Sequence, residues 1–537
     1  MSVQRTIAHN TVFNTLGRIW EAVLGLVLTW YIYHRLGWEG YGLWSLVGVF
    51  IGYAALLDFG VGSGFAKYLA EYAARDRRDA VSAVISTGLF FYLALGVLVV
   101  AAGWPLAGAL IDGVVWLLAR LHPGSAATYQ NAAALAEVRF LCRGALVLFA
   151  FTNCIAPFSA LQTGLQRMGV TNLLSFAASL LKLGATVVFL ELGYGVPGLL
   201  YANGLVLAAF GAGCVFVAYR IFPGLRVGPG RVSRRIFREL FGFGWRTQVA
   251  KLSNLINFQT DRAIVGLAFA DMALVGIYRA GEDLAGKVRQ LPALLVSALL
   301  PAVSDLDARG RDTDVARLYL RSTKYMAAAA VPLTAFVIGC AGPLLRIVFG
   351  DGTHLEMSAW VLRILTAGYA ANLLAGPGMS IALGKGRPEM SMYAGLLSMA
   401  ANIGLTVLLV WRFGFYGVPV ATAAAMLLSA GWFFTALRRR VDVRLRDLLR
   451  TACIWPVLAA APGFAASIGI VAVLEAPGRL ASLAAACAGG AVLGLSYLAL
   501  IRLMPFLDAF DVRFLEETLH LGRVPGFHLL VGRTRHG

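Results

Sequence analysis

GYGVPGLLYANGL at 193–205 and GFYGVPVATAAAM at 414–426 are one pattern written twice. In each, an apolar run ends, a Gly-Val-Pro turn follows and a second apolar run begins. Just upstream, GLQR at 164–167 corresponds to GKGR at 384–387. Further back, RDRRD at 75–79 lines up with RGRDT at 309–313, each in the loop after the second apolar run of its half. The offset stays near 220–234 residues, the mark of an internal repeat. Residues 1–221 and 240–436 therefore read as two homologous bundles, joined by a basic linker at 222–239.

The apolar runs set the class. Of 537 residues, 59% are hydrophobic and 14% charged, with a mean hydropathy of +0.74. Ordinary globular domains carry nearer a quarter charged residues, so a soluble multidomain enzyme and a disordered chain are both excluded. A ruler of roughly 20 apolar residues per span gives about fourteen candidates. They start near 12, 41, 81, 135, 170, 195, 241, 273, 325, 358, 390, 414, 451 and 480. The first and seventh (241–269) are the least hydrophobic. The expected fold is an all-α integral membrane protein: two six-helix bundles around a central cavity, then a basic loop with two extra helices over 437–504, and a tail at 505–537. An even number of spans per half gives both halves the same orientation, a parallel repeat.

The net charge of +18 is read as loop charge rather than a nucleic-acid footprint. Placing the N-terminus inside puts about 30 of the 46 Lys and Arg on the cytoplasmic side and about 5 opposite. Both termini are thus expected in the cytoplasm, and no cleavable signal is evident. Cys142, Cys154, Cys214, Cys340, Cys453 and Cys487 show no CxxC and no pairing rhythm. The seven histidines fall in termini and loops, so no metal or histidine-based catalytic centre is expected.

LGWEGYGLWSLVGVFIGYAALLDFGVGSGFAKYLAEY at 36–72 resembles the first repeat of polysaccharide-type (Wzx-like) flippases of the multidrug/oligosaccharidyl-lipid/polysaccharide superfamily. TDRAIVGLAFADMALVGIYRAGEDL at 260–284 is similar to the matching segment of that family's second half. The resemblance covers about the first 440 residues and the extra C-terminal pair suits it. It implies outward movement of a lipid-linked oligosaccharide, with undecaprenyl-diphosphate carriers as substrates and no covalent chemistry.

Physical chemistry reaches a compatible place independently. An ionisable group at the bilayer centre costs roughly 2.5–3.5 kcal/mol on insertion scales, so basic residues inside spans should face a cavity or a partner. The basic set includes Arg18, Arg139, Arg143, Lys182, Arg246, Lys251, Arg279, Arg289 and Arg363 and outnumbers the acidic one, which suits an anionic passenger. On the seventh span, Thr247, Lys251, Asn254, Asn257 and Asp261 share one helical stripe with Arg246 at its edge. Amides beside a cation fit sugar hydroxyls next to a phosphate. Candidate substrate contacts are Arg18, Lys182, Arg246, Lys251, Asn254, Asn257 and Arg279. Candidate coupling or gating groups are Glu21, Asp58, Asp261 and Glu282, with a proton or sodium as coupling ion. Plain ion pairs (Arg18 with Glu21) and helix glue are the structural alternatives, and Asp58 reads more readily as an anchor for the adjacent glycine-rich bend.

Asp305-Leu-Asp307 and Asp312-Thr-Asp314 echo DxD metal sites but sit in a short basic loop, and GKGR lacks phosphate-loop spacing. Residues 511–524 suggest an amphipathic surface helix or a dock for a biosynthetic partner, such as a polymerase or glycosyltransferase. The rival functions are a drug/cation antiporter, a lipid II flippase, or a membrane polymerase or ligase. The last would need catalytic groups on a large outer loop, and 111–134 offers only Asp112, Arg120 and His122.

Overall fold

The structure is a computed structural model. It describes residues 3–121, 132–165, 167–293, 299–441, 443, 445–474, 477–506, 508 and 511. The described residues are overwhelmingly helical and none lies in a strand. The chain packs as two compact units, Met1–Gly276 and Ile277–Gly537.

In the first unit, α1 (Val3–Ala54) is 52 residues long, roughly 78 Å at 1.5 Å per residue and far more than one bilayer crossing needs. It carries the first two expected spans, joined at Gly37, whose φ of 65° breaks the helix. That left-handed backbone is open to glycine at little cost. The second span is interrupted again by a 3-10 turn at Ala55–Asp58, after which α2 (Val61–Ala74) continues. Four long helices follow: α3 (Arg78–Leu121), α4 (Ala132–Gly164), α5 (Met168–Glu191) and α6 (Gly195–Ile221). α7 (Arg234–Phe269) completes the unit, and α8 (Met272–Ala293) begins in it. Phe65, Leu69, Ile85, Tyr92, Phe149 and Leu161 form its core with Cys214, a thiol acting as a small hydrophobe.

Helix continues past both edges of the expected outer loop. α3 runs eleven residues beyond the anticipated end at 110, and α4 resumes at Ala132. Arg139 hydrogen-bonds Asp112, Arg120 lies 4.4 Å from the Trp116 ring centre, and Arg143 lies 5.1 Å from that of Trp104. Those pairings explain why an apolar yet charged segment stays helical there.

The basic linker is held, not slack. The backbone N–H groups of Arg226, Gly228 and Ser233 donate to Ser82, Ser86 and Thr87 of α3 at 3.3, 3.2 and 3.0 Å. Ser233 caps α7 by accepting from the Ile236 N–H at 3.5 Å, and Arg231 pairs with Asp79 at 2.8 Å.

The second unit runs from the rest of α8 through α9 (Leu299–Ala308), α10 (Asp312–Gly339), α11 (Ala341–Phe349), α12 (Leu355–Gly384), α13 (Pro388–Phe413) and α14 (Gly417–Arg438). A short helical turn at Leu445–Leu448 and a π-turn at Leu449–Cys453 lead into α15 (Ile454–Leu474), and α16 (Arg479–Leu503) follows. The second Gly-Val-Pro turn opens α14 as the first opens α6. A Cβ on Gly417 would meet the Leu409 carbonyl oxygen at 2.3 Å, so only glycine lets α13 and α14 close there. Asn402 then donates to Thr422 at 2.8 Å and Ser429 to the Ala394 carbonyl at 2.7 Å across the same pair.

Among the described residues eight helical stretches are long and apolar enough to cross a membrane, or nine if α10 and α11, bent by 69°, are counted as one span. The chain is a multi-pass membrane protein. The count falls below the expected fourteen partly because Val23–Asp58 and Pro388–Arg438 each count once although each covers more than one expected run. α7 and α8 are too polar to qualify.

Candidate functional site

Two facts single out the second span and α7. The span is broken inside an apolar stretch, and α7 is long but too polar to be an ordinary lipid-facing helix. Within a membrane an interrupted helix must have its freed backbone groups satisfied by protein, and α7 supplies the partner. Gln248 of α7 donates its side-chain amide to the Leu56 carbonyl at 2.7 Å. Immediately after the turn Phe59 and Gly60 take left-handed angles (φ 51° and 77°), and α2 starts afresh.

Asp58 closes the break. It is 8% exposed, accepts the Gly62 N–H at 3.1 Å as a cap for α2, and accepts the Tyr92 hydroxyl from α3. A carboxylate at a helix start is favoured by the unpaired N–H groups there. Tyr92 has no local sequence signal, being 34 residues away, and sequence reasoning missed it.

Contact along this seam is backbone to backbone. A Cβ on Gly60 would stand 2.1 Å from the Gly244 carbonyl oxygen, and one on Gly244 would stand 2.2 Å from that of Gly60. Towards the other end, Gly42 faces the Met272 carbonyl at 2.0 Å and Gly276 faces that of Trp38 at 2.3 Å on the same test. Between these crossings Tyr53 and Thr260 share a hydroxyl hydrogen bond of 2.6 Å, Gln259 lies against Gly52, and Arg262 donates to Ser45 at 3.3 Å. Asp261, 3% exposed, is buried beside them. At the foot of α7, Glu239 accepts the Tyr72 hydroxyl at 2.7 Å and pairs with Arg235 at 3.1 Å. Burial, aided by Glu239, pushes the Tyr72 phenol up to about 12.

The predicted site residues distribute as follows. Arg18 lies on α1, and Arg246, Lys251, Asn254 and Asn257 lie on α7; their side chains fall outside the described residues, as does that of Thr247. Glu21 is exposed on α1 and Lys182 half-buried on α5. Asp58 and Asp261 belong to the seam just described. In the second unit, Arg279 of α8 pairs with Asp283 one turn on at 3.2 Å, and Glu282 is half-buried between them in sequence. Beyond the predicted set, Arg289 lies 5.5 Å from the Tyr369 ring centre, a cation held over an aromatic face. Gln248, Tyr53, Thr260 and Ser45 are seam residues that sequence reasoning did not single out. The nearest signal is the density of small residues in 58–64, which reads as close packing but does not say against what.

Three of the four DxD-like aspartates are engaged structurally. Lys385 of the GKGR loop binds Asp307 at 2.9 Å and Asp312 at 2.6 Å, while Asp314 pairs with Arg317 at 3.3 Å and with Arg311 at 2.5 Å. The hydrogen bond to Asp312 comes first in holding the Lys385 ammonium above its usual range. No group of three or more potential metal ligands occurs among the described residues.

A family model described as polysaccharide biosynthesis protein matches residues 7–307, and one described as lipid II flippase MurJ matches 246–498. The proposed O-antigen transporter of Shigella flexneri is 22% identical over 441 residues, spanning 80% of this chain and 98% of that protein. Two solved structures share the fold. A lipid II flippase MurJ in an inward closed conformation matches with a TM-score of 0.64 at 15% identity, over 91% of this chain and 99% of that one. An inward-facing multidrug-resistance MATE family transporter of the MOP superfamily matches with a TM-score of 0.59 at 19% identity, over 80% and 100%.

Proposed function

The chain belongs to the polysaccharide biosynthesis protein family, and from that premise we propose that it is a flippase for a lipid-linked oligosaccharide. It is a membrane transporter rather than an enzyme, and it serves surface-polysaccharide assembly. The observation that carries this reading is the similarity, over 80% of this chain and 98% of the relative, to the proposed O-antigen transporter of Shigella flexneri. The finer assignment is a polyprenyl-diphosphate oligosaccharide moved from the inner to the outer leaflet of the cytoplasmic membrane by alternating access, both termini being cytoplasmic. The Lys and Arg asymmetry of the loops supports the orientation. The basic excess inside the spans supports an anionic headgroup over a cationic drug, and Arg18, Lys182, Arg246, Lys251 and Arg279 with Asn254 and Asn257 are its proposed contacts. Glu21, Asp58, Asp261 and Glu282 are the proposed coupling or gating groups, and a proton or sodium the proposed coupling ion. A polymerase and the glycosyltransferases that build the oligosaccharide are its proposed partners.

The test is a deletion strain assayed for surface polymer and for lipid-linked intermediates. Complete, unpolymerised repeat units trapped on the inner leaflet are expected, with export restored by the wild-type chain and not by Lys251→Ala at equal membrane level. The MurJ family match over 246–498 favours lipid II as a second reading; accumulation of that lipid in place of repeat units selects it. Repeat units that reach the outer leaflet unpolymerised overturn transport in favour of an enzyme.

A further inference from the structure

In the second unit, where α13 begins and α14 ends, a cavity of about 500 Å³ has Arg387, Glu389, Tyr393, Trp432, Arg439 and Arg440 in its wall. Its charges do not cancel. Arg387 meets Glu389 at 3.4 Å, whereas Arg439 and Arg440 make no ion pair among the described residues. Arg387 is the residue before the first turn of α13, so the unpaired N–H groups of a 26-residue helix add positive potential on the same side. Tyr393 and Trp432 stand edge to face with ring centres 6.4 Å apart, and both are exposed. An apolar ring with a polar tip at the level where a span leaves the bilayer is the arrangement that suits the headgroup layer.

The internal repeat supplies a control. Carrying the GLQR/GKGR and Gly-Val-Pro registers across, Glu389 and Tyr393 correspond to Gly169 and Leu173. Trp432, Thr435, Arg439 and Arg440 correspond to Phe210, Gly213, Val217 and Ala218. The first half builds the same helix pair with Arg167 in the place of Arg387, but without the carboxylate, the two terminal arginines or the interfacial aromatic tips. Packing α13 on α14 therefore does not require Glu389, Tyr393, Trp432, Arg439 or Arg440, and loop charge alone does not call for two aromatic tips beside the two arginines.

We propose that this cavity binds the phosphodiester headgroup of an anionic phospholipid in the cytoplasmic leaflet, with Arg439 and Arg440 on the phosphate and Tyr393 and Trp432 against the glycerol. This rests on the orientation given above, not on transport: the occupant is a resident lipid rather than the passenger. Two guanidiniums supply several charge-assisted donors to one phosphate, and Arg387 with Glu389 leaves the net demand at a singly or doubly charged group.

The test uses the full chain purified in detergent and mixed with equal amounts of phosphatidylglycerol and phosphatidylcholine, bound lipid being counted by mass spectrometry of the intact complex. Wild type is expected to retain phosphatidylglycerol preferentially. R439Q/R440Q is expected to lose about tenfold in its affinity, in keeping with the loss of charge-assisted hydrogen bonds, while R438Q, which removes a neighbouring charge outside the cavity, keeps it. Trp432→Ala provides an independent variant with unchanged charge and an expected several-fold loss. Undiminished phosphatidylglycerol in R439Q/R440Q, or an equal loss in R438Q, overturns the site. Full displacement by millimolar inorganic phosphate assigns it to a free anion and overturns the lipid. Since no arm measures export, failure here leaves the flippase reading where it stands.

Discussion

The seam between the second span and α7 and the loop-side rim of the second unit solve the same problem with opposite chemistry. Along most of the seam the contacts are glycine against carbonyl, an amide on a carbonyl and one hydroxyl on another (Gly60 with Gly244, Gln248 with Leu56, Tyr53 with Thr260), and of its charged groups, Asp58, Asp261 and Arg262, the first meets a backbone N–H and a hydroxyl and the last a hydroxyl. At the rim they are ionic. Lys385 bridges Asp307 and Asp312, Arg321 reaches Asp508 at 3.8 Å, and Lys324 pairs with Asp511, which also accepts the Tyr325 hydroxyl at 2.5 Å. Neutral hydrogen bonds contribute about 0.5–1.5 kcal/mol each, so the neutral stretch of the seam separates and re-forms at modest cost. A buried ion pair, once one partner is removed, costs several times that. From that difference we expect the seam to be the cheaper of the two to open and the rim to hold.

The contrast breaks first at Gly244. A valine there has no room against the Gly60 carbonyl, and Gly244→Val is expected to abolish export in the deletion strain while the protein still reaches the membrane. Export at the wild-type level would show that this backbone crossing is dispensable.

Next in size is Lys324→Ala. It strands Asp511, whose side chain is fully buried, and is expected to cost about 3 kcal/mol, read as a fall in the unfolding midpoint of the purified protein. The double variant Lys324→Met/Asp511→Leu should recover most of it. Burial opposes ionisation of Asp511, yet the Asp508 backbone N–H, Lys324 and Tyr325 together hold its carboxyl below the ordinary carboxylate value. A lowered folded pKa means that the stabilisation is complete above roughly pH 4 and is lost as pH falls through the folded value. A latch that loosens on raising the pH from 5 to 8 contradicts this sign.

A smaller effect is expected at Asp58. Asparagine keeps an oxygen for both the Gly62 N–H and the Tyr92 hydroxyl, so Asp58→Asn should keep the wild-type unfolding midpoint, its export separating an anchor from a coupling group, whereas Asp58→Ala orphans both donors and should lower stability by about 1–3 kcal/mol. Export lost in the asparagine variant alone would make Asp58 a proton-coupling group and move charge back into the seam. Last comes Lys385→Ala, removing a partly exposed bridge for which about 0.5–1 kcal/mol is expected; a larger fall in midpoint would promote the GKGR loop from trim to keystone.

Much of this was readable from residues alone because the signals are local or periodic. The helical membrane class follows from run length and charge scarcity, and the Gly-Val-Pro turns mark where α6 and α14 open. The polarity of α7 was visible as a stripe of amides and charges on one helix. Other features depend on distance in sequence. Asp58 announces itself, but Tyr92 looks like any apolar-run tyrosine, and nothing in DFGVGSG names Gly244 as the opposing residue. Ser82, Ser86 and Thr87 read as ordinary small residues in a span, since their partners are backbone N–H groups that every sequence possesses. Asp511 was seen only as part of an amphipathic surface segment, because a buried ion pair and a solvated charge are written with the same letter.

The three hydroxyls on α3 carry a mechanical consequence. By gripping Arg226, Gly228 and Ser233, they turn the stretch ahead of α7 into a strut rather than a tether. Any swing of α7 then has its pivot at or above Ser233, and the far end travels furthest. With 36 residues above the pivot, a tilt of about 10° displaces the tip by roughly 9 Å at 1.5 Å of rise per residue, while the foot beside α3 stays still.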